Sequence, residues 1–295
     1  MFQTPSPDTP IIRQQAPTFN LFNDPGEITG ATTNFLNTNT LVAKIAFLFL
    51  VVILFIVALR IGTQIISWAL TPSGSPMLVN GMKDARKPLT IEQNPRSKNS
   101  IPIMRSDNEK YGIEFTYSVW LFIDSLPQDN VKYMHVFHKG NDFVNTDEQN
   151  LIKPNNAPGV YIDKQEVNGV IRNDLIIFMN TFKHANEKVR IKNIPLNKWI
   201  SLVIRCNGSN LDVYINGTIA LRHTYSSVPK QNYGNLYVNL NGGFNGFLSN
   251  LQYHNRSLSI REIIRINDQG PNLKMNTEEM KVNPPYFSLR WYLGQ

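Results

Sequence analysis

A run of fifteen consecutive apolar residues, 45–59 (IAFLFLVVILFIVAL), constrains this chain more than any other feature. It begins too far from the N-terminus to be a signal peptide. Leu41, Val42 and Ala43 before it, and a weaker stretch over 61–70, carry it past the roughly 20 residues that cross a hydrocarbon core. No amphipathic stripe runs through it, which argues against a helix packed on a soluble core. A helix satisfies its own backbone groups, so lipid accepts it. The pattern predicts one transmembrane helix over 41–70, with Ile45, Phe47, Leu50, Ile53, Phe55 and Leu59 as the membrane anchor. Lys44 and Arg60 bracket the run and can snorkel. Trp68 is placed as an interfacial anchor.

Composition narrows the rest. The 295 residues carry a net charge of +7, but the charges are dispersed and no block of like charge appears, so nucleic acid is not an expected partner. A single cysteine, Cys206, excludes an intramolecular disulfide framework. It suits a reducing compartment, or a domain large enough to need no staple. The flank after the run carries Lys83, Arg86, Lys87, Arg96 and Lys98 against Asp84 and Glu92. That bias points the C-terminal part to the cytosolic side. Three N-x-[ST] triplets, at Asn207, Asn216 and Asn255, would suit a luminal domain instead. Two of them contain the Asn-Gly pairs expected of turns.

Five regions are expected. Residues 1–40 are rich in Pro, Thr, Asn and Gln and read as a disordered arm. The helix occupies 41–70. Residues 71–108 are basic and broken by prolines, which predicts an extended stalk or a segment that orders only against a neighbouring surface. Thirty extended residues would reach about 90–100 Å. Residues 109–270 alternate with period two in short segments about ten residues apart, the pattern of a β-sandwich. Candidate strands lie at 115–123, 131–138, 160–162, 175–182, 188–191, 199–206, 211–215, 219–223, 236–240 and 247–253. One helix is expected over 259–267, with Ser259 as N-cap and Glu262 completing the box. Residues 271–295 form an aromatic tail whose Tyr286, Phe287, Trp291 and Tyr292 are candidate partner contacts.

NKWISLVIRCNG (197–208) followed by LDVYING (211–217) resembles the central hairpin of laminin-G-like domains. GFNGF (243–247), LQY (251–253) and RSLSIREI (256–263) resemble that family's closing strand and final helix. The resemblance implies an all-β, concanavalin A-like jelly-roll sandwich preceded by a single transmembrane α-helix. It makes Trp199, Asn216, Gly217 and Gly246 fold-defining: Trp199 would fill the core, and Asn216-Gly217 would supply the positive φ of a type I′ turn. GIEFTYSVW, VPKQNYG, LNGGFNGFLSN and PPYFSLRWY are similar to a narrower group, the single-span laminin-G-like proteins of large DNA viruses of algae and protists. That similarity implies a virion membrane or minor capsid protein anchored in the internal membrane, with lipid bilayer and capsid or shell proteins as partners.

Catalytic and metal chemistry find little support. Retaining glycosidases need two carboxylates roughly 5 Å apart, and no E-x-D-x-x-E strand is present. Asp107, Glu109 and Glu114 are spaced otherwise and read as a polar rim. His135 and His138, three apart on a strand, should point to opposite faces. Cys206 reads as a small buried hydrophobe. Asp142, Asn145, Asp147 and Glu148, with Asp163 later, make calcium the one conceivable cofactor; otherwise none is expected. Tyr225, Tyr233 and Phe244 lie near Gly-rich loops and could stack on a sugar or meet a protein. The expectation is a non-enzymatic structural protein; the alternative is a membrane-anchored lectin that binds glycan for host attachment.

Overall fold

The structure, a computed structural model, describes residues 41–106, 108–109, 112–126, 132–141, 150–167 and 170–275. The arm at 1–40, the loop residues Asp142, Asn145, Asp147 and Glu148, and the tail aromatics Tyr286, Phe287, Trp291 and Tyr292 lie outside them. Two compact units divide at Leu70.

The first unit contains helix α1 (Leu41–Leu70). Thirty residues at 1.5 Å each make about 45 Å, more than the ~30 Å hydrocarbon core. None of its residues is buried. Among the described residues it is the helix long and apolar enough, by length and composition, to cross a membrane. All the anchor residues named above fall on it. This supports single-pass membrane association.

The second unit is a two-sheet sandwich. One sheet contains β1 (Met77–Asp84), β13 (Asn245–His254), β4 (Gly112–Ser125), β9 (Trp199–Asn207), β10 (Asn210–Ile215) and β11 (Thr218–Thr224), in that order, with β3 (Asn108–Glu109) beside β4. The other runs β2 (Leu89–Ile91), β12 (Asn235–Val238), β5 (Tyr133–Gly140), β6 (Asn156–Val167), β7 (Val170–Met179) and β8 (Glu187–Ile191). The strand pairs within both sheets are antiparallel. Alternation decides which side chains meet between the sheets. In β4, Phe115, Tyr117, Val119, Leu121 and Ile123 enter the core. The opposite face of β4 is covered as well: Thr116 Oγ1 donates to Arg256 O at 2.9 Å and accepts from Leu258 N at 3.1 Å. Helix α2 (Ile260–Gln269) follows, packing Ile263 on Val203 and Tyr214 of that outer face. Ser259 is its N-cap, and Ser259 N–H donates to Glu262 Oε2 at 2.9 Å.

Three expectations need correction. First, the stalk over 71–108 is largely part of the sandwich. β1 pairs with β13 and β2 with β12. Leu78 and Val79 are buried core residues. Two register shifts interrupt β1, one on each side of Val79, so its buried positions lose period two. The segment after β2 is tied down by Gln93, whose amide donates to Ile91 O and Ile101 O and accepts from Ile103 N. No thirty-residue spacer is left to reach 90–100 Å. Secondly, Trp199 does not fill the core. Ile200, Leu202, Ile204 and Cys206 take the inward parity of β9. Trp199 takes the other parity and lies half-buried against Phe122, ring centroids 5.6 Å apart. Thirdly, the histidine geometry differs, as described below.

The hairpin matches its expectation. Ile215 pairs with Thr218, leaving Asn216-Gly217 as a two-residue loop with φ of 50° and 77°. Asn216 Oδ1 also accepts from Ser201 N at 2.9 Å. Asn216→Ala removes both the left-handed preference and that bond. It is expected to cost about 2 kcal/mol in urea unfolding of the full chain in detergent.

Candidate functional site

A cleft of about 440 Å³ opens in the sandwich. One wall is the segment after β2, with Gln93, Asn94 and Pro95, and its continuation Ile103, Met104 and Arg105. The loop before β12 supplies Gln231, Asn232 and Tyr233. The strands supply Phe115 and Tyr117 from β4, Lys139 from β5, Ala157 from β6 and Tyr253 from β13. The rings of Tyr117 and Tyr253 lie 5.0 Å apart, both buried in the core. Tyr233 is 84% exposed.

Lys139 is only 7% exposed. Its ammonium donates to Asn232 O and Gly234 O, each at 2.8 Å, so two of three N–H groups are engaged. Burial pushes its pKa down to about 8. Arg105 adds a second cation and makes no ion pair among the described residues. Among the described residues, no Asp or Glu lines the cleft.

The amides have a directional pattern. Gln93 Oε1 accepts from Ile103 N, Asn94 Oδ1 from Arg96 N, Gln231 Oε1 from Ser106 N and Asn232 Oδ1 from Gly234 N. Each amide oxygen in the lining is therefore engaged in holding loop backbone. Gln93 Nε2 and Asn232 Nδ2 are also spent on carbonyls. The amide nitrogens of Asn94 and Gln231 remain as donors. The cleft offers free donors and the exposed aromatic face of Tyr233.

The two histidines lie outside this cleft and are brought together, contrary to expectation. A register shift between His135 and Phe137 inserts one residue into β5, so the alternation slips by one. His135 Nε2 then sits 2.8 Å from His138 Nδ1. Leu240 N–H donates to His135 Nδ1 at 2.9 Å, which makes that nitrogen an acceptor and places the proton on Nε2. His135 donates to His138, and His138 Nε2 donates to Asn141 O at 3.0 Å. Each ring nitrogen is spent, so the pair has no lone pair for a metal. No group of three or more potential ligands occurs among the described residues.

The other candidates are committed elsewhere. Asp163 and Asp174 both meet Arg190, at 3.0 and 3.2 Å. Asp212 is held by Arg222 at 2.6 Å. Cys206 is buried and its thiol is pushed up to about 12 by burial and then by Glu114 and Asp212. Tyr225 and Phe244 are buried, so neither is an exposed platform. Tyr233 alone of the three stands at the cleft. The sequence reading passed over Lys139, Arg105, Asn94 and Gln231. A lysine inside the otherwise apolar-and-aromatic strand YMHVFHKG was the available signal.

The fold and the cleft define a jelly-roll binding domain on a chain that also carries a membrane-length helix. Residues 98–264, more than half of the chain, match the Laminin_G_3 family, the concanavalin A-like lectin/glucanases superfamily, and the chain belongs to it. No curated protein matches the chain. Solved structures similar to it include the binding domain of botulinum neurotoxin DC in complex with rat synaptotagmin II, at 15% identity and TM-score 0.39. That match covers 55% of this chain and 37% of the other. The botulinum neurotoxin serotype G binding domain is similar at 10% identity and TM-score 0.41, over 64% of this chain and 46% of its own. The chain thus spans less than half the length of either structure, and likeness at this level carries no functional argument.

Proposed function

We propose that this chain is a membrane-anchored, non-catalytic binding protein whose sandwich recognises glycan in the cleft beside Lys139. The supporting observation is the lining itself: spare donors from Asn94, Gln231 and Arg105 beside the exposed ring of Tyr233. About 440 Å³ lies in the range of small-molecule sites. Hydrolysis of a glycoside would need a carboxylate pair, and the described residues of the cleft lining include none. The test is glycan-array binding by the full chain in detergent. Defined glycans are expected to be retained, and Tyr233→Ala is expected to weaken retention about ten-fold, equivalent to ~1.4 kcal/mol. A blank array, or retention indifferent to Tyr233→Ala, refutes this function.

A second function is a structural one in a virion, as a minor capsid component linking an internal membrane to the shell. The excess of Lys83, Arg86, Lys87, Arg96 and Lys98 after α1 favours it, because it orients the sandwich to the cytosolic side where shells assemble. Protease protection of sealed membranes separates the two. Digestion of the sandwich from the cytosolic side, with Asn207, Asn216 and Asn255 unmodified, supports the structural role. Protection with glycans on those residues supports the lectin.

A further inference from the structure

Resting on glycan recognition in this cleft, we propose that its ligand is an acidic sugar, one whose carboxylate is received by Lys139 and Arg105. Three observations converge. Among the described residues, the charged members of the lining are these two cations, with no carboxylate among them. The amide oxygens of Gln93, Asn94, Gln231 and Asn232 each already accept one backbone N–H, which leaves one lone pair apiece. The donors left to meet a ligand are the amide groups of Asn94 and Gln231, the guanidinium of Arg105 and the third N–H of Lys139. A donor set that includes two cations favours an oxygen-rich anion, and charge-assisted bonds to a carboxylate are about twice as strong as neutral ones. Lys139 is also a buried cation with only carbonyls for company, and burial lowers its pKa. An arriving carboxylate supplies the missing countercharge to that ammonium. The exposed ring of Tyr233 gives the sugar ring its apolar contact.

The test is calorimetric titration of the full chain in detergent with glucuronic acid, N-acetylneuraminic acid, glucose and inorganic phosphate. At least one acidic sugar is expected to bind ten-fold or more tightly than glucose. Arg105→Gln, at an exposed position, is expected to weaken the acidic sugar at least five-fold and to weaken glucose by much less, so that the preference for the acid shrinks. Lys139→Met is expected to abolish the preference; because Lys139 is buried, Arg105→Gln decides the matter if that variant unfolds. Equal binding of glucose and the acids, indifferent to Arg105→Gln, overturns the inference while glycan recognition stands. Phosphate bound as tightly as the sugar acids, and lost in Arg105→Gln, shows an anion site and overturns the sugar assignment. No binding by any probe, with the array also blank, overturns both.

Discussion

Gly246→Ala is expected to destabilise the sandwich by about 3–5 kcal/mol, a large fraction of the stability of an ordinary domain. Gly246 has φ of +145°, a region that side chains rarely enter. A Cβ there would lie 1.9 Å from Phe122 O and 2.9 Å from Phe122 C. Those atoms are backbone of the neighbouring central strand, so nothing can swing aside. The glycine sits at the register shift between Asn245 and Gly246, where β13 meets β4. Its carbonyl also accepts from Ala85 N at 3.0 Å, tying in the turn after β1. Gly242 is the internal control. It too has positive φ, +81°, but nothing lies within 4 Å of an added Cβ. Gly242→Ala should cost only the conformational strain, about 1 kcal/mol. Urea unfolding of the full chain in detergent measures both. Equal costs would mean that the close approach of β13 to β4 is wrong.

Acidification is expected to cost the sandwich several kcal/mol between pH 6.5 and about 4. Burial lowers His138 and His254 to about 4, and lowers His135 well below its ordinary value, with His138 adding to the effect. Below pH 6.5 the unfolded chain therefore takes up protons that the native chain refuses. Stability is complete above pH 6.5 and falls as pH drops toward the native values. A shift of about 2.5 units is worth about 3 kcal/mol for His138 and the same for His254. The geometry explains the direction. A second proton on the His135–His138 pair would place two donors face to face at 2.8 Å. Carboxylates do not mimic this window. Glu262, held down chiefly by Arg256 and the Ser259 backbone, begins to lose its contribution only below the ordinary glutamate range near 4.5. Urea midpoints measured from pH 7.5 to 4.5 should decline through the histidine range. A flat profile there would contradict the neutral histidine chain.

What the sequence made legible was regular, and what it hid was irregular. The β9–β10–β11 hairpins could be read because alternation and Asn-Gly act locally, and the structure places the strand ends within a residue or two of the expected limits. The capping box at Ser259 was local too. β1 was hidden because its two register shifts break the alternation that marks a strand. One inserted residue likewise inverted the facing expected of His135 and His138. Trp199 shows a different failure: period two gives two parities but does not say which faces the core. The cleft was the least legible of all. Its amides come from the segment after β2 and the loop before β12, about 140 residues apart in the chain, as the Gln93–Asn235 contact also shows. Their donor character depends on which backbone N–H groups claim their oxygens, and only tertiary structure decides that.

Hydrogen exchange of the full chain in nanodiscs, with and without N-acetylneuraminic acid or glucuronic acid, tests the central claim most directly. The expected result is slowed exchange in two segments, residues 93–105 and 231–234, with the β10–β11 hairpin unchanged. Protection elsewhere, or none at either segment at acid concentrations that saturate calorimetric binding, would contradict a recognition site in this cleft.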